Sequence, residues 1–258
     1  MNVFSEYIYK DRNLHDFTLE LIKDFKNNDN ILLYSPAHME EVALILSQNE
    51  DISLSKRYIK NIICSISTVT NNYECLPTEK EILIKLEHPE VCYKRVIDCY
   101  TLTTIAELNE SIGVRSKHQN IDGTLEKYNV NRSRIGSIEP ENLFANETIQ
   151  NLLVDFLKDN NVKIKKWNEI KNSHESIQGN ISIIFDFLES IGYKTDGVKQ
   201  YRSMMHDVTH AIYGTISDIF ITNDKNFFKR IKAIYSYFEI PVKVLFLNDL
   251  AHTQERRL

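Results

Sequence analysis

The sequence predicts an α/β protein in which a mostly helical insertion interrupts a central parallel sheet. Short β-type runs alternate with amphipathic helices at both ends of the chain, as in parallel α/β sheets. The middle of the chain has an almost entirely helical pattern, and glycine and proline number only 7 and 5 of 258 residues, which favours long helices over a strand-dense sandwich. We therefore expect an α/β core of residues 1–50 and 196–258, with a helical insertion at 51–195.

The first fifty residues predict a helix, a short strand and a second helix. Apolar side chains recur at helical spacing between residues 14 and 25. The run 31–34 is short, apolar and bounded by turn residues, which is typical of a buried parallel strand. We expect the next helix to begin with Ser35 as its N-cap and Pro36 at its first helical position.

The last sixty residues predict two further strands with a helix between them. Residues 207–216 form a helical pattern with small residues on one face, and 219–222 is a β-type run. An apolar stripe over 227–235 predicts the next helix, and 241–246 predicts a final strand. Strands joined by a helix with short connections indicate a parallel sheet.

Composition and motifs exclude several classes of protein. The net charge is −5, so any nucleic-acid binding must come from local basic patches. The four cysteines lack the C-x-x-C spacing of a zinc site, and no apolar run reaches the ~18 residues of a membrane span. No secretory leader, phosphate-binding loop, dinucleotide fingerprint or nucleophile elbow is visible. We therefore expect a cytoplasmic protein that does not bind membranes.

Two aspartates near the C-terminus form the strongest candidate site. Asp207 is predicted to open a helix, where the positive end of the helix dipole favours its ionised form. Asp224 lies just past the carboxyl end of strand 219–222, where functional groups gather in parallel sheets. Two ionised carboxylates that lie close together repel each other unless a hard cation sits between them. Mg²⁺ or Mn²⁺, which take oxygen ligands, suit such a site.

The segment 206–224, HDVTHAIYGTISDIFITND, resembles the C-terminal half of the PIN-domain family of metal-dependent ribonucleases. In that family an Asp begins a helix, and a T-x-D or T-x-N motif closes the following strand about 17 residues later. Asp207 and Asp224 are 17 positions apart, and Thr222-Asn223-Asp224 matches the motif. Asn223 is therefore a further candidate site residue.

An earlier segment, SPAHMEEV at 35–42, resembles the element of the same family in which a Glu lies in a helix after a strand that ends in Ser. Glu41 is the residue that aligns with the family's Glu, and its neighbour Glu40 is the alternative. Adjacent helical residues point about 100° apart, so only one of the two can face the site.

The resemblance implies a three-layer fold with a central parallel sheet and a divalent-metal-dependent ribonuclease that hydrolyses RNA phosphodiester bonds. Glu41, Asp207 and Asp224 would be catalytic residues and ligands of Mg²⁺ or Mn²⁺, and we expect them to lie within a few ångströms of one another. Members of the family are often dimers, toxins or defence effectors held off by a partner, so the resemblance also implies a homodimer and a protein inhibitor.

The family's first Asp would fall just before Met1, because Asn2-Val3 aligns with the end of its Asp-Thr-Asn-Val motif. Either the sequence begins too late to include this Asp, or this member lacks one of the four family carboxylates. This departure favours an alternative, a catalytically weakened PIN-like binding or regulatory module.

Other residues are weaker candidates. Asp218 falls at the opposite end of the strand from Asp224, and three histidines lie near the predicted carboxylates, where histidine can act as ligand or general base; they are His38, His206 and His210. A basic run with one aromatic side chain could contact single-stranded nucleic acid or RNA, although a solvated helix face explains it as well. The run consists of Lys163, Lys165, Lys166 and Trp167.

Overall fold

The computed structural model describes residues 3–8, 14–48, 52–99, 125, 131–195 and 201–255, and the chain is a mostly helical α/β protein with two small sheets. Its contacts divide it into two compact units. The first comprises Met1–Asn109 with Phe246–Leu258, and the second Glu110–Leu245. The predicted division into an α/β core and an insertion at 51–195 stays a prediction.

The first unit is a group of helices around one β-hairpin. Helix α3 packs against α4 and α5, and the core they share includes Tyr34, Met39 and Ile66. The hairpin is antiparallel, with Cys75 opposite Ile84. The elements are α1 (Val3–Ile8), α2 (His15–Asn27), α3 (Pro36–Gln48), α4 (Ile52–Thr70), β1 (Tyr73–Pro77), β2 (Ile82–Leu86), α5 (Pro89–Cys99) and, from the C-terminus, the helix Leu247–Glu255.

The second unit is built mainly of helices, and two strands form a small sheet in it. Its elements are α6 (Arg132–Gly136), a 3₁₀ turn (Pro140–Asn142), α7 (Glu147–Asp159), α8 (Trp167–Ile170), α9 (His174–Ser190), α10 (Tyr201–Gly214), β3 (Ile219–Thr222), α11 (Lys225–Phe238) and β4 (Lys243–Phe246). The C-terminal helix Leu247–Glu255 is therefore α12. Helix α9 packs against both α10 and α11, and apolar side chains of α9 and α11, such as Phe185 and Ile231, are fully buried.

Strands β3 and β4 are hydrogen-bonded neighbours joined by α11. The backbone N–H of Lys243 donates to the carbonyl of Asp218 at 2.9 Å, which places the beginnings of the two strands side by side, as in a parallel pair joined by a helix. This part of the sequence prediction is confirmed for β3, α11 and β4. The last strand begins at Lys243, two residues later than expected.

The predicted central parallel sheet is not present among the described residues, which form two separate two-stranded sheets. The run 31–34 was expected to be a buried strand, but only Tyr34 pairs, through one isolated parallel bridge to Glu74. Ile31 is 54% exposed, whereas Tyr34 is fully buried, so the run enters the core only at its end.

The middle of the chain is also less helical than its pattern suggests, because the hairpin β1–β2 lies within it. Helix α4 ends at Thr70, and Asn71 and Asn72 both adopt positive φ angles, of 50° and 67°. Asparagine tolerates this left-handed region better than most residues. The segment 71–77 is therefore a turn followed by a strand and not part of a helix.

Two predicted helices are confirmed close to their expected bounds. Helix α2 covers the apolar stripe of residues 14–25, and α3 begins at Pro36 as the Ser-Pro pair predicts. Among the described residues, no helix combines the length and apolar character needed to cross a membrane.

Candidate functional site

Asp207 lies in the middle of a helix and is held by an arginine. Helix α10 begins at Tyr201, so the prediction that Asp207 opens the helix is wrong. The helix dipole acts only within the first turn and cannot be what balances this carboxylate. Arg230 from α11 balances it instead, because its Nη2 donates to Asp207 Oδ2 at 2.6 Å.

Asp224 occupies the turn between β3 and α11, at the carboxyl end of the strand. It is the N-cap of α11, and its Oδ1 accepts a hydrogen bond from the backbone N–H of Phe227 at 2.8 Å. Its own N–H donates to Thr222 Oγ1 at 3.1 Å. These bonds satisfy a free donor at the helix start, and they hold the Asp224 carboxylate in place.

The two aspartates interact electrostatically. Burial is the largest cause that raises the pKa of Asp207, to about 7; the charges of Arg230 and His210 act against it, while the negative charge of Asp224 raises it further. Asp207 therefore holds its proton far more tightly than an exposed aspartate even though an arginine is bonded to it. The expectation that Asp207 and Asp224 share one metal site stays a prediction.

Arg230 links Asp207 to a second buried acid. Its Nη1 donates to Glu189 Oε1 of α9 at 2.9 Å, and the guanidinium carbon lies 5.8 Å from the centre of the Phe185 ring. The Arg230 side chain is only 2% exposed, whereas the carboxylates of Glu189 and Asp207 are nearer the surface, at 10% and 14%. We name Glu189, Arg230, Asp207 and Asp224 the acidic cluster.

Glu189 and Arg230 were not predicted as site residues. Both stand at positions where a helical apolar stripe continues, Glu189 beside Leu188 and Arg230 beside Ile231. A charged residue at a core-facing position is rarely buried unless it is paired. That interruption of the stripe was the available signal, but it does not say which residue is the partner.

The other C-terminal candidates lie around the same strand. Asp218 precedes β3, is exposed and uses its carbonyl to pair with Lys243, so it is at the opposite end of the strand from Asp224. Asn223 is half-buried between the strand and the cap. His210 is buried on α10 and interacts with Asp207.

Glu41 and Glu40 are both half-buried on α3, in the first unit, whereas the acidic cluster belongs to the second. The expected approach of Glu41 to the aspartates stays a prediction. Over the described ranges, no group of three or more His, Cys, Asp or Glu residues is arranged to hold a metal ion. His38, also in the first unit, pairs with Ser35 Oγ at 3.0 Å.

The basic run does not lie on a helix face. Residues 162–166 are irregular, and α8 begins only at Trp167. The backbone N–H of Lys165 donates to Asn180 Oδ1 at 2.8 Å, and that of Lys166 to Glu169 Oε1 at 3.1 Å. The side chains of Lys163, Lys165 and Lys166 are exposed, and that of Trp167 is half-buried.

Asp207 and Asp224 fit a divalent cation in donor chemistry. Mg²⁺ prefers oxygen ligands and is commonly bound through one or two carboxylates, with water completing its coordination. A cation would offset the repulsion from Asp224, which adds to the effect of burial on the pKa of Asp207. Within the described residues the one hydrogen bond of the Asp207 carboxylate uses Oδ2, which leaves Oδ1 for a further ligand.

No protein-family model, curated protein or solved structure matches the chain. The function has to be inferred from its own residues.

Proposed function

We propose that this chain is a divalent-metal-dependent ribonuclease of PIN-like type that hydrolyses RNA phosphodiester bonds. One observation carries the proposal: Asp207 and Asp224 stand at the family's spacing of 17 residues, and the negative charge of Asp224 adds to the burial that raises the pKa of Asp207. Asp224 also stands in a strand–helix–strand segment, β3–α11–β4, of the kind that a PIN-like sheet contains, and Asp207 lies on the preceding helix α10.

In this proposal Asp207 and Asp224 hold Mg²⁺ or Mn²⁺, and Glu41 is the third expected ligand. The cation would lower the pKa of a bound water and stabilise charge on the scissile phosphate. The chain's own contribution is to fix the carboxylates: the cap bond to Phe227 holds Asp224, and Arg230 holds Asp207.

RNA, or another single-stranded nucleic acid, would be held at the basic run. The exposed side chains of Lys163, Lys165 and Lys166 can neutralise backbone phosphates, and the Trp167 ring can stack on a base. The three-layer arrangement, the homodimer, the protein inhibitor and the cytoplasmic location rest on sequence reasoning and remain part of the proposal.

The decisive variant is Asp224→Asn, because Asn is as good an N-cap as Asp and should leave α11 intact while removing a charged ligand. We expect it to lower Mg²⁺- or Mn²⁺-dependent cleavage of a labelled RNA by about 10²-fold or more, with a melting temperature near that of the wild type. Asp218→Asn, at the other end of β3, is the matched control and should cleave like the wild type. Equal cleavage by D224N and wild type, or cleavage that persists in chelator, would reject the proposal.

A second candidate is a PIN-like module that binds RNA without cleaving it. Two observations favour it: Arg230 already neutralises part of the charge of Asp207, and the described residues contain no three-ligand metal group. Gel-shift and product analysis on the same RNA, in Mn²⁺, separate the two candidates. Binding without products at high enzyme concentration supports the module, whereas products that D224N fails to form support the nuclease.

A further inference from the structure

Arg230 is too deeply buried to touch a substrate, and both of its terminal nitrogens are committed. One nitrogen is bonded to Glu189 on α9 and the other to Asp207 on α10, while Arg230 itself comes from α11. Its guanidinium therefore ties three helices together at the acidic cluster. Arg230 holds the Asp207 carboxylate through one oxygen, Oδ2.

We propose that Arg230 is a positioning residue of the metal site: anchored by Glu189, it fixes Asp207 through Oδ2 and leaves Oδ1 as the oxygen available to a divalent cation. This inference rests on the proposed function, since it concerns how that site is assembled. Arg230 acts through Asp207 and does not contact the cation or the RNA.

The chemistry of the guanidinium explains why an arginine stands here. Its planar fork presents donors in fixed directions, so that a contact to Glu189 also fixes the direction of the contact to Asp207. A lysine carries the same charge on a single ammonium with freely rotating donors. Replacing Arg230 by Lys therefore keeps the local charge and removes the fork, which separates positioning from simple charge neutralisation.

The first unit supplies a matched control. Arg95 likewise contacts two acids, Glu74 and Glu87, through its two terminal nitrogens, and neither acid belongs to the proposed site. Arg95→Lys therefore makes the same chemical change in an ion pair of the same connectivity.

The test is Mn²⁺ binding to the full chain by isothermal titration calorimetry, after chelator treatment and well below the melting temperature. We expect Arg230→Lys to weaken Mn²⁺ binding by about 10- to 100-fold, the usual effect of changing a residue that orients a metal ligand. Arg95→Lys should bind Mn²⁺ within about twofold of the wild type. A purely structural role for Arg230 would lower the melting temperature and leave the affinity of the folded variant unchanged.

The outcomes separate this inference from the proposed function. If wild type binds Mn²⁺ in a manner that depends on Asp224 and R230K binds equally well, the positioning role is wrong and the metal site stands. If wild type does not bind Mn²⁺, or D224N binds it equally, the proposed function falls and the inference with it. Should R230K fail to fold, Glu189→Gln decides: about tenfold weaker Mn²⁺ binding supports the role, and unchanged binding overturns it.

Discussion

Each unit contains one arginine that joins two acids, but the two groups are built the opposite way round. In the first unit the acid is innermost: Glu74 is fully buried on β1, Tyr34 Oη donates to it at 3.2 Å, and Arg95, which is 42% exposed, also bonds to it. In the second unit the arginine is innermost, because Arg230 is 2% exposed and its acids lie nearer the surface.

The balance of charge follows from this difference. In the first unit Lys85 and Arg95 face two acids, and their hydrogen bonds hold the pKa of Glu87 down at about 2. In the second unit Arg230 bonds to two acids, and burial, with the negative charge of Asp224, raises the pKa of Asp207 to about 7 against the charges of Arg230 and His210. The first group pairs its charges within the protein, whereas under our proposal the acidic cluster would take up a divalent cation.

The largest expected effect comes from removing each arginine's charge. Arg230→Met should cost about 3–5 kcal/mol of unfolding free energy in chelator, because it leaves two poorly solvated carboxylates without their partner. Arg95→Met should cost less, about 1–3 kcal/mol, since Glu87 keeps its bond to Lys85 and only Glu74 loses its charged partner. Urea denaturation of both variants measures the difference, and equal losses would remove the structural contrast between the two groups.

Acidity should affect the two groups in opposite directions. The folded-state pKa of Asp207 is raised from 3.8 to about 7, so the folded chain binds more protons than the unfolded chain between these values. The contribution of Asp207 therefore makes the chelated protein less stable as pH rises from about 4 to 7, with a slope of at most about 1.4 kcal/mol per pH unit. Asp207→Asn should abolish this slope, and saturating Mg²⁺ should flatten it in the wild type.

Glu87 should show the reverse sign. Its folded pKa is lowered from 4.5 to about 2, so its stabilising contribution is present above about pH 4.5 and is lost as pH falls towards 2. Urea titrations of Glu87→Gln against the wild type across this range test the point. A wild-type acid-side loss that E87Q retains in full would show that Glu87 is not its source.

A smaller effect on stability should come from changing the packing at the end of α10, the helix that carries Asp207. Gly214 ends α10, and a Cβ there would lie 2.5 Å from Phe220 and 2.6 Å from the Tyr235 hydroxyl, which itself donates to the Ala211 carbonyl at 2.6 Å. Gly214→Ala should cost about 1–3 kcal/mol through overpacking.

Gly179 is the matched control for this substitution, because it lies in α9 and a Cβ there would meet no atom within 4 Å. Gly179→Ala should stabilise the protein by about 0.5–1 kcal/mol, as alanine is the better helix former. Thermal melts of the two variants measure the contrast, and a G214A variant as stable as G179A would contradict the packing around α10.

Sequence patterns predicted an element correctly where residues that are neighbours in the chain determine it. Pro36 marked the start of α3, and Asp224 followed β3 as expected. The hairpin β1–β2 was missed because its strands lie in a stretch of helical periodicity, and the partner of Tyr34 proved to be Glu74, 40 residues away. Single-residue spacing carries no information about such long-range pairing.

Of the acidic cluster, the sequence proposed Asp207 and Asp224 as site residues and missed Glu189 and Arg230. The spacing of Asp207 and Asp224 reflects a local strand and helix, so sequence could find it. Arg230 and Glu189 are 41 positions apart in the sequence and lie on different helices, so only the folded structure shows their hydrogen bond. The sequence analysis also missed that α10 starts at Tyr201. The charge of Asp207 is therefore balanced by Arg230 and not by the helix dipole.

The most direct test of the central claim is Mn²⁺ binding by chelated wild type, D224N and E87Q at neutral pH, followed by electron paramagnetic resonance of the free ion. We expect the wild type and E87Q to bind Mn²⁺ equally, because Glu87 is already paired with Lys85 and Arg95. D224N should bind Mn²⁺ at least about tenfold more weakly than the wild type. Binding that is absent from the wild type, or that is the same in D224N, would contradict the claim that the acidic cluster holds a cation.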